Sequence, residues 1–141
     1  MATAKSIPVA EGLFTETGDG PRLLGSRCGG CRTPYFPKSA VCHNPDCRGG
    51  KMEEASFVPR GTLWSCAVQD YPPPAPARFD QPYKPYAMCV VDLTDGLRVL
   101  GRMAVDDPRR LEVGIPVELV LDVLCHDEQG SEVITWKFRP V

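Results

Sequence analysis

The chain has 141 residues, a length typical of one domain or of two small modules that pack closely together. Its hydrophobic fraction of 43% suffices for a globular core and excludes a disordered chain. The net charge is −2 but is unevenly spread, because residues 22–51 carry six Lys or Arg against one acidic residue and residues 52–141 carry nine against fourteen.

Charge and hydropathy also bear on location and partners. The longest apolar run, Tyr86 to Val91, falls well short of the ~18 residues of a membrane helix. The N-terminal sequence MATAKSIPVAEG lacks the apolar stretch of a secretory signal, so we expect a soluble, cytoplasmic protein. The basic segment indicates either a surface for phosphate-bearing partners or a solvated rim around a thiolate-rich metal site.

Three regions are predicted along the chain. Residues 1–21 are expected to be a loosely structured N-terminal lead-in, because prolines and glycines oppose a long helix there. At most a short helical turn is expected over Ala10–Thr15. Residues 22–58 form a cysteine-rich ribbon, and residues 59–141 carry repeated short strands.

Four cysteines of the second region have the spacing of a metal site: Cys28, Cys31, Cys42 and Cys47. Two closely spaced pairs on tight turns direct four sulfurs at one tetrahedral centre. An odd total of seven cysteines in a cytoplasmic chain opposes a disulfide framework. We therefore predict one structural zinc ion, with iron as the main alternative metal. His43 is a possible substitute ligand but is expected to be exposed.

Period-2 alternation predicts five strands in the third region. They cover Thr62–Asp70, Tyr86–Leu93, Leu97–Ala104, Pro116–Cys125 and Glu132–Arg139. The alternation in the first of them places Trp64, Cys66 and Val68 on one face. Between the second and third, an Asp95-Gly96 turn predicts a hairpin, and Gly101 suggests a bulge or barrel corner.

The order of these strands predicts the fold. A five-stranded antiparallel chain with an insertion after the third strand matches an OB-fold barrel, with an open sandwich as the alternative. Within the insertion, Asp106 or Asp107 is placed to cap one helical turn that has Pro108 in its first position. The predicted protein is mainly β, with an N-terminal zinc ribbon followed by a five-stranded OB-fold barrel.

One long loop lies outside this pattern. Residues 70–86, DYPPPAPARFDQPYKPY, contain six prolines and four aromatic residues. Long loops are often functional, and proline stiffening lowers the entropy lost when a loop orders on a partner. The loop is therefore either a recognition element or a rigid lid over one end of the barrel.

The sequence offers little for catalysis. Cys66, Cys89 and Cys125 fall within predicted strands, where free cysteines are commonly buried as small apolar residues. His126 follows Cys125 directly, but adjacent strand residues point to opposite faces and are not expected to touch. No phosphate-binding glycine loop, nucleophile elbow or zinc-protease helix is present, so the chain alone is not expected to be an enzyme.

The ribbon and barrel segments together resemble a known family. A rubredoxin-like zinc ribbon followed by an OB-fold occurs in small proteins that associate with thiolase-superfamily enzymes acting on acyl-CoA. The resemblance covers residues 8–141 and rests on the segments RLLGSRCGGCRTPYFPKSAVC, GTLWSCAVQDYPPP, PYAMCVVDLTDGLRVLGRM, VGIPVEL and ITWKFRP. The sequence departs from the family where four residues, rather than two, separate Cys42 from Cys47.

This resemblance implies a non-catalytic accessory subunit. Its partner would be a thiolase, a lipid-transfer-type aldolase or a hydroxymethylglutaryl-CoA synthase, which would bring the catalytic residues. The small chain would stabilise that partner and help to form its acyl-CoA site. Because thiolase-type enzymes usually dimerise, two copies of each chain are implied. We expect Phe79, Tyr83 and Tyr86 of the long loop to contact the partner or the acyl chain.

Two other function classes stay open. Zinc ribbons and OB barrels both bind single-stranded nucleic acid, but that mode needs a basic groove, and the acidic barrel region opposes it. We therefore expect no nucleic-acid partner. The other class is an electron carrier with iron in the same four-sulfur site. Steroid side-chain, aromatic-succinyl and short-chain acyl groups are all candidate substrates of the complex.

Overall fold

The computed structural model describes residues 5–141, and about half of these residues lie in β-strands, while the others form turns and loops. Among them, no helix is long and apolar enough to cross a membrane. The strands are β1 (Ser6–Pro8), β2 (Phe14–Thr17), β3 (Gly20–Cys28), β4 (Pro34–Tyr35), β5 (Met52–Ser56), β6 (Arg60–Gln69), β7 (Tyr86–Leu93), β8 (Arg98–Met103), β9 (Pro116–His126) and β10 (Glu132–Pro140).

Strands β6 to β10 close into a five-stranded barrel. Antiparallel pairing joins β6 to β7, β7 to β8, β10 to β9 and β9 to β6, and one parallel pairing joins β8 to β10. The predicted OB-fold is thus confirmed and the open sandwich is excluded. All five predicted barrel strands are present, and β7 has the predicted ends. Closure pairs the strand edges that short strands otherwise expose.

The barrel core is apolar and tightly packed. Leu63, Val91 and Phe138 are fully buried, and the ring of Phe138 lies against Gly101. A Cβ at Gly101 would be 3.0 Å from that ring. Gly101 does not mark a bulge, because it lies directly opposite Cys89 in an unbroken register. The glycine instead makes room for an aromatic ring.

A bulge does occur in β6, where the sequence pattern did not predict it. The register passes from Leu63 opposite Val91 to Ser65 opposite Val90, so Trp64 is an extra residue. Trp64 is 51% exposed, whereas Cys66 packs against the core. The prediction that these two side chains share a face was wrong, because the extra residue breaks the alternation.

Residues 5–21 of the N-terminal lead-in are more ordered than predicted, and residues 1–4 of that prediction lie outside the described residues. Ser6 of β1 pairs in parallel with Glu132 of β10, and β2 forms an antiparallel pair with β3. The expected helical turn over Ala10–Thr15 was wrong, since a turn at residues 11–12 leads into β2 at Phe14. The division of the chain at residues 21 and 58 stays a prediction.

The insertion between β8 and β9 contains the predicted cap but no helix. The Oδ1 atom of Asp107 accepts the backbone N–H of Arg109 at 3.0 Å, and its carbonyl accepts that of Arg110 at 3.2 Å. Pro108 lies second in this turn, where its fixed φ is favourable. One hydrogen-bonded turn therefore forms in place of the helical turn expected from the sequence.

Ribbon and barrel meet at the tip of the β7–β8 hairpin. The Oδ2 atom of Asp95 accepts the backbone N–H of Val58 at 2.9 Å. Arg27, in β3, donates from Nη2 to the Asp95 carbonyl and from Nη1 to the Arg32 carbonyl, both at 2.9 Å. Phe57 is fully buried beside this network and joins the barrel core. These contacts fix the ribbon against the barrel next to its cysteine turns.

Candidate metal centre

The ribbon strands bring the two cysteine pairs together. Strand β3 ends at Cys28, and the following turn returns through Cys31 to β4. The long connection after β4 carries Cys42 and Cys47 and then enters β5, which pairs with β3. Cys28 lies opposite Met52 at the end of this pairing. Both cysteine turns therefore lie at the same end of one small sheet.

The four sulfur atoms have the separations that a tetrahedral metal requires. The Sγ atoms of Cys28 and Cys47 are 3.7 Å apart, and those of Cys31 and Cys42 are 3.6 Å apart. All four lie within 4.8 Å of one another. Four sulfurs at about 2.3 Å from a tetrahedral zinc ion would be about 3.8 Å apart. The four predicted ligands are thus placed to bind one metal ion.

Close backbone packing holds the two turns against each other. A Cβ added at Gly50 would lie 2.7 Å from the sulfur of Cys28 and 2.5 Å from the backbone nitrogen of Gly30. The N–H of Gly29 donates to the carbonyl of Lys51 at 2.9 Å. Only a residue without a side chain fits at position 50, so the second turn can approach the first.

Two hydroxyl groups donate hydrogen bonds to the sulfurs. Thr33 Oγ1 accepts a hydrogen bond from the Asn44 amide at 3.2 Å and donates to the sulfur of Cys31 at 3.1 Å. Tyr35 accepts the backbone N–H of His43 at 2.7 Å and donates to the sulfur of Cys42 at 3.3 Å. Sequence reasoning missed these residues, because their role depends on how the two turns face each other.

Electrostatics at the site favour thiolates but also require a cation. Hydrogen bonds from the hydroxyl and the backbone N–H of Thr33 lower the pKa of Cys31 to about 6. The N–H groups of Cys31 and Gly30 lower the pKa of Cys28. The N–H of Gly49 lowers the pKa of Cys47, but the sulfurs of Cys31 and Cys28 outweigh it and raise that pKa to about 11. Four neighbouring sulfurs therefore ionise together only around a positive ion.

The donor set fits zinc in a structural role. Four thiolates complete a tetrahedral shell and leave no position for water or substrate. His43 is exposed, as predicted, and its ring Nε2 lies 3.1 Å from Ser39 Oγ rather than among the sulfurs. Zinc at this site would lock the two turns together and supply fold stability.

Comparison with known proteins agrees with this geometry. Residues 18–53 match the family profile described as "ChsH2, rubredoxin-like zinc ribbon domain", and residues 56–122 match "ChsH2, C-terminal OB-fold domain". The chain belongs to this family. The zinc ribbon and the OB-fold expected from the sequence are thereby confirmed.

Several ChsH2-type relatives span most of this chain. A "DUF35 domain-containing scaffold protein" of Methanothermobacter thermautotrophicus is 32% identical over 84% of this chain and 86% of its own length. A protein of the same description from Methanocaldococcus jannaschii is 30% identical, and the match covers 84% of this chain and 82% of that protein. A "Probable enoyl-CoA hydratase alpha subunit" of Thermomonospora curvata is 33% identical, but the match covers only 34% of that longer protein.

A solved structure shares the ChsH2-type fold. A chain of the structure described as "Ltp2-ChsH2(DUF35) aldolase" is 32% identical to this one and superposes with a TM-score of 0.59. The match covers 84% of both chains.

The long loop of this ChsH2-type protein, residues 70–86, is packed onto the barrel and is called the proline-rich loop below. The rings of Phe79 and Tyr83 meet edge to face at 5.3 Å, and those of Tyr83 and Tyr86 at 6.3 Å. The Tyr83 hydroxyl donates to the carbonyl of Gln69 at 2.6 Å. The structure thus brings the three predicted contact residues into one cluster, and their contact with a partner stays a prediction.

This aromatic cluster forms one wall of a cleft of about 1040 Å³ between the loop and the barrel. The guanidinium of Arg102, from β8, stacks 3.7 Å over the ring of Tyr86. On the floor, Lys137 donates to Asp122 Oδ2 at 3.2 Å and to the carbonyl of Val123 at 2.8 Å. No local sequence pattern marks these residues, because strand pairing across the closed barrel brings them to the loop.

The remaining cysteines lie in the barrel. Cys89 and Cys125 are both 1% exposed, and Cys66 packs against the core, as predicted. His126 does not pair with Cys125, because its ring is directed to Asp80 at 2.6 Å.

Proposed function

We propose that this chain is an accessory subunit of a thiolase-like enzyme, which it binds, stabilises and helps to provide with an acyl-CoA site. The observation that carries the proposal is the fold match, over 84% of both chains, to a chain of an aldolase described as Ltp2-ChsH2. Relatives of nearly equal length that are described as scaffold proteins support the same role.

The metal centre supports a scaffold role rather than a reaction. Its four sulfurs complete a tetrahedral shell, which leaves no position where zinc would activate water or substrate. Zinc in such modules contributes an apparent ~10–16 kcal/mol to folding at neutral pH. The ion would therefore turn the glycine-rich turns near Gly30 and Gly50 into a rigid element, which loses little entropy on docking.

The proline-rich loop supplies the second rigid element. Tyr83 is fixed by its hydrogen bond to Gln69, and Asp80 is fixed to the barrel by His126. Phe79 and Tyr86 remain partly exposed on either side of Tyr83. Partly exposed aromatic rings on an ordered loop are efficient interface anchors, because they bury large areas at low entropic cost.

An association experiment tests the proposal. The chain is co-expressed in zinc-supplemented medium with a tagged thiolase-like catalytic subunit from the same organism. We expect the two chains to purify together and catalytic turnover to need both. Simultaneous replacement of Phe79, Tyr83 and Tyr86 by Ala should weaken this association. Tyr71→Ala is the matched control, because Tyr71 lies in the same loop but is 71% exposed and outside the cluster.

The outcomes separate the parts of the proposal. If the wild-type chain does not purify with the catalytic subunit, the accessory role is wrong. If association and turnover are unchanged in the triple variant, the accessory role survives but the loop is not the contact. Catalytic turnover by the small chain alone would contradict its non-catalytic role.

The acyl-CoA part of the proposal has its own test. The aromatic wall of the cleft suits an apolar acyl group, and Lys84 and Arg102 supply positive charge for the anionic carrier of acyl-CoA. Lys137 is already paired with Asp122, and Asp80 and Asp106 also line the cleft. Acyl-CoA titrated into the complex should protect residues 79–86 from hydrogen exchange. Protection confined to the catalytic subunit would place the acyl-CoA site elsewhere.

Metal identity, copy number and location complete the proposal. We infer zinc rather than iron, two copies of each chain in the complex, and a cytoplasmic location, where free thiols stay reduced. A red colour with stoichiometric iron in the purified protein would favour the electron-carrier alternative instead.

A further inference from the structure

Two cysteines outside the metal centre lie opposite each other at the base of the proline-rich loop. Cys66 in β6 is the register partner of Cys89 in β7. Opposed residues of an antiparallel pair project to the same face of the sheet, with Cα atoms about 4.5–5.5 Å apart. This separation lies within the range of about 4.4–6.8 Å found in protein disulfides.

The two thiols differ in access to solvent. Cys89 is 1% exposed, and its thiol donates to the carbonyl of Gly101 at 3.3 Å. Cys66 is half-buried and packs against the core cluster that contains Cys89. Burial, followed by the charge of Cys66, raises the pKa of Cys89 to about 12. An external reagent therefore reacts first at Cys66, and Cys89 reacts after its sulfur turns away from Gly101.

We propose that Cys66 and Cys89 form a dithiol that a small-molecule disulfide, such as oxidised glutathione, converts to a cross-strand disulfide. The Cys66 thiolate attacks the oxidant, which forms a mixed disulfide and expels one thiolate. The Cys89 thiolate then attacks the sulfur of Cys66 and expels the second thiolate. The two cysteines lose two electrons and two protons, and the oxidant leaves as two thiols.

The proposed disulfide would enclose the proline-rich loop. Strand β6 ends at Gln69 and β7 begins at Tyr86, so a bond between Cys66 and Cys89 closes a covalent ring around the whole proline-rich loop. Such a ring restricts mainly the unfolded chain, so oxidation should stabilise the pairing of β6 with β7, which already extends to Gln69 and Tyr86. This consequence, although not the chemistry, rests on the proposed function: oxidation would stabilise the two strands that present the docking loop to a partner.

Peptide mapping of the full-length, metal-loaded chain tests the inference. The protein is incubated with excess oxidised glutathione, alkylated and digested with trypsin. Cleavage after Arg60, Arg78 and Arg98 separates the two cysteines into peptides 61–78 and 79–98. We expect a glutathione adduct on Cys66 first, then a disulfide-linked pair of these peptides, with the bound metal retained.

Single substitutions keep the result interpretable. Cys66→Ser should abolish the linked peptides, and Cys125→Ser should leave them unchanged, because Cys125 lies opposite Val133 rather than another cysteine. A permanent adduct on Cys66 with free Cys89, or a linkage that forms only after the metal is lost, would overturn the inference. Association with a catalytic subunit does not depend on either outcome, so the proposed function stands or falls separately.

Discussion

The carboxylate of Asp80 in the proline-rich loop accepts two hydrogen bonds from His126 at the end of β9. The backbone N–H of His126 donates to Oδ1 at 2.7 Å, and its ring Nδ1 donates to Oδ2 at 2.6 Å. Further along the loop, the Tyr83 hydroxyl donates to the carbonyl of Gln69. The middle and the end of the loop are therefore both held to the barrel, which orders the aromatic cluster without a partner.

Anchoring of this loop should depend on pH. Asp80 raises the pKa of His126 above its ordinary value of 6.5, with smaller contributions from Glu132 and Asp127. The charged histidine thus stabilises the fold below pH 6.5, and this contribution is lost as the pH rises through the raised pKa. His126 lowers the pKa of Asp80 below 3.8, so the carboxylate contributes above pH 3.8 and stops contributing as the pH falls through the lowered pKa.

Hydrogen exchange of residues 70–86 measures this effect. His126→Asn keeps the backbone donor but removes the titrating ring, and we expect it to lower amide protection of the loop more at pH 5.5 than at pH 8. His43→Asn, at the other histidine, should change nothing in the loop. An equal loss of protection at both pH values would show that the charge of His126 plays no part.

Loss of one cysteine should remove the metal, whereas loss of the neighbouring histidine should not. Cys47→Ser removes one of four sulfurs that lie within 4.8 Å of one another, while His43→Asn changes an exposed ring outside that set. We expect zinc content near zero for Cys47→Ser and near one per chain for His43→Asn, by elemental analysis. Metal retained by Cys47→Ser and lost by His43→Asn would mean that the ligand set is misassigned.

The hydroxyl of Tyr35 should strengthen metal binding. It donates to the sulfur of Cys42 and accepts the N–H of His43, so Tyr35→Phe leaves both groups without this partner. Groups that orient metal ligands typically contribute about 10–100-fold in affinity, and we expect a loss of that order in competition with a chelator. Tyr71→Phe removes an exposed hydroxyl elsewhere and serves as the control. Equal affinity of both variants would contradict the role of Tyr35.

The junction between ribbon and barrel should depend on the side chain of Asp95. Asp95→Ala leaves the partly buried N–H of Val58 without its acceptor, which costs about 1–3 kcal/mol of unfolding free energy. Asp95→Asn keeps an acceptor oxygen and the Asn-Gly turn signal, so it should cost much less. Urea unfolding of the three proteins measures the difference. The junction assignment fails if the Asn and Ala variants are equally destabilised.

Sequence reasoning succeeded where local pattern and local geometry coincide. Strand β7 alternates between buried and partly exposed residues from Tyr86 to Leu93, so its ends were predictable. The turn that follows it has Gly96 at φ 101°, a value that glycine adopts without strain. The metal ligands were equally predictable from the sequence, since Cys28 and Cys31 share one turn.

Sequence reasoning failed where the structure depends on pairing between strands that are far apart in the sequence. The extra residue at Trp64 arises from the register between β6 and β7, and nothing in the local alternation marks it. Strand β1 forms because the backbone around Ile7 pairs with Val133 of β10, a partner far along the chain. The loop anchor at Asp80 depends in the same way on where the barrel places His126.

Native mass spectrometry of this chain with a thiolase-like catalytic subunit is the sharpest test of the accessory role. We expect a heteromeric assembly in which each copy of this chain carries one zinc ion, and which dissociates when a chelator removes the metal. Separate, metal-free chains with intact folds would contradict it.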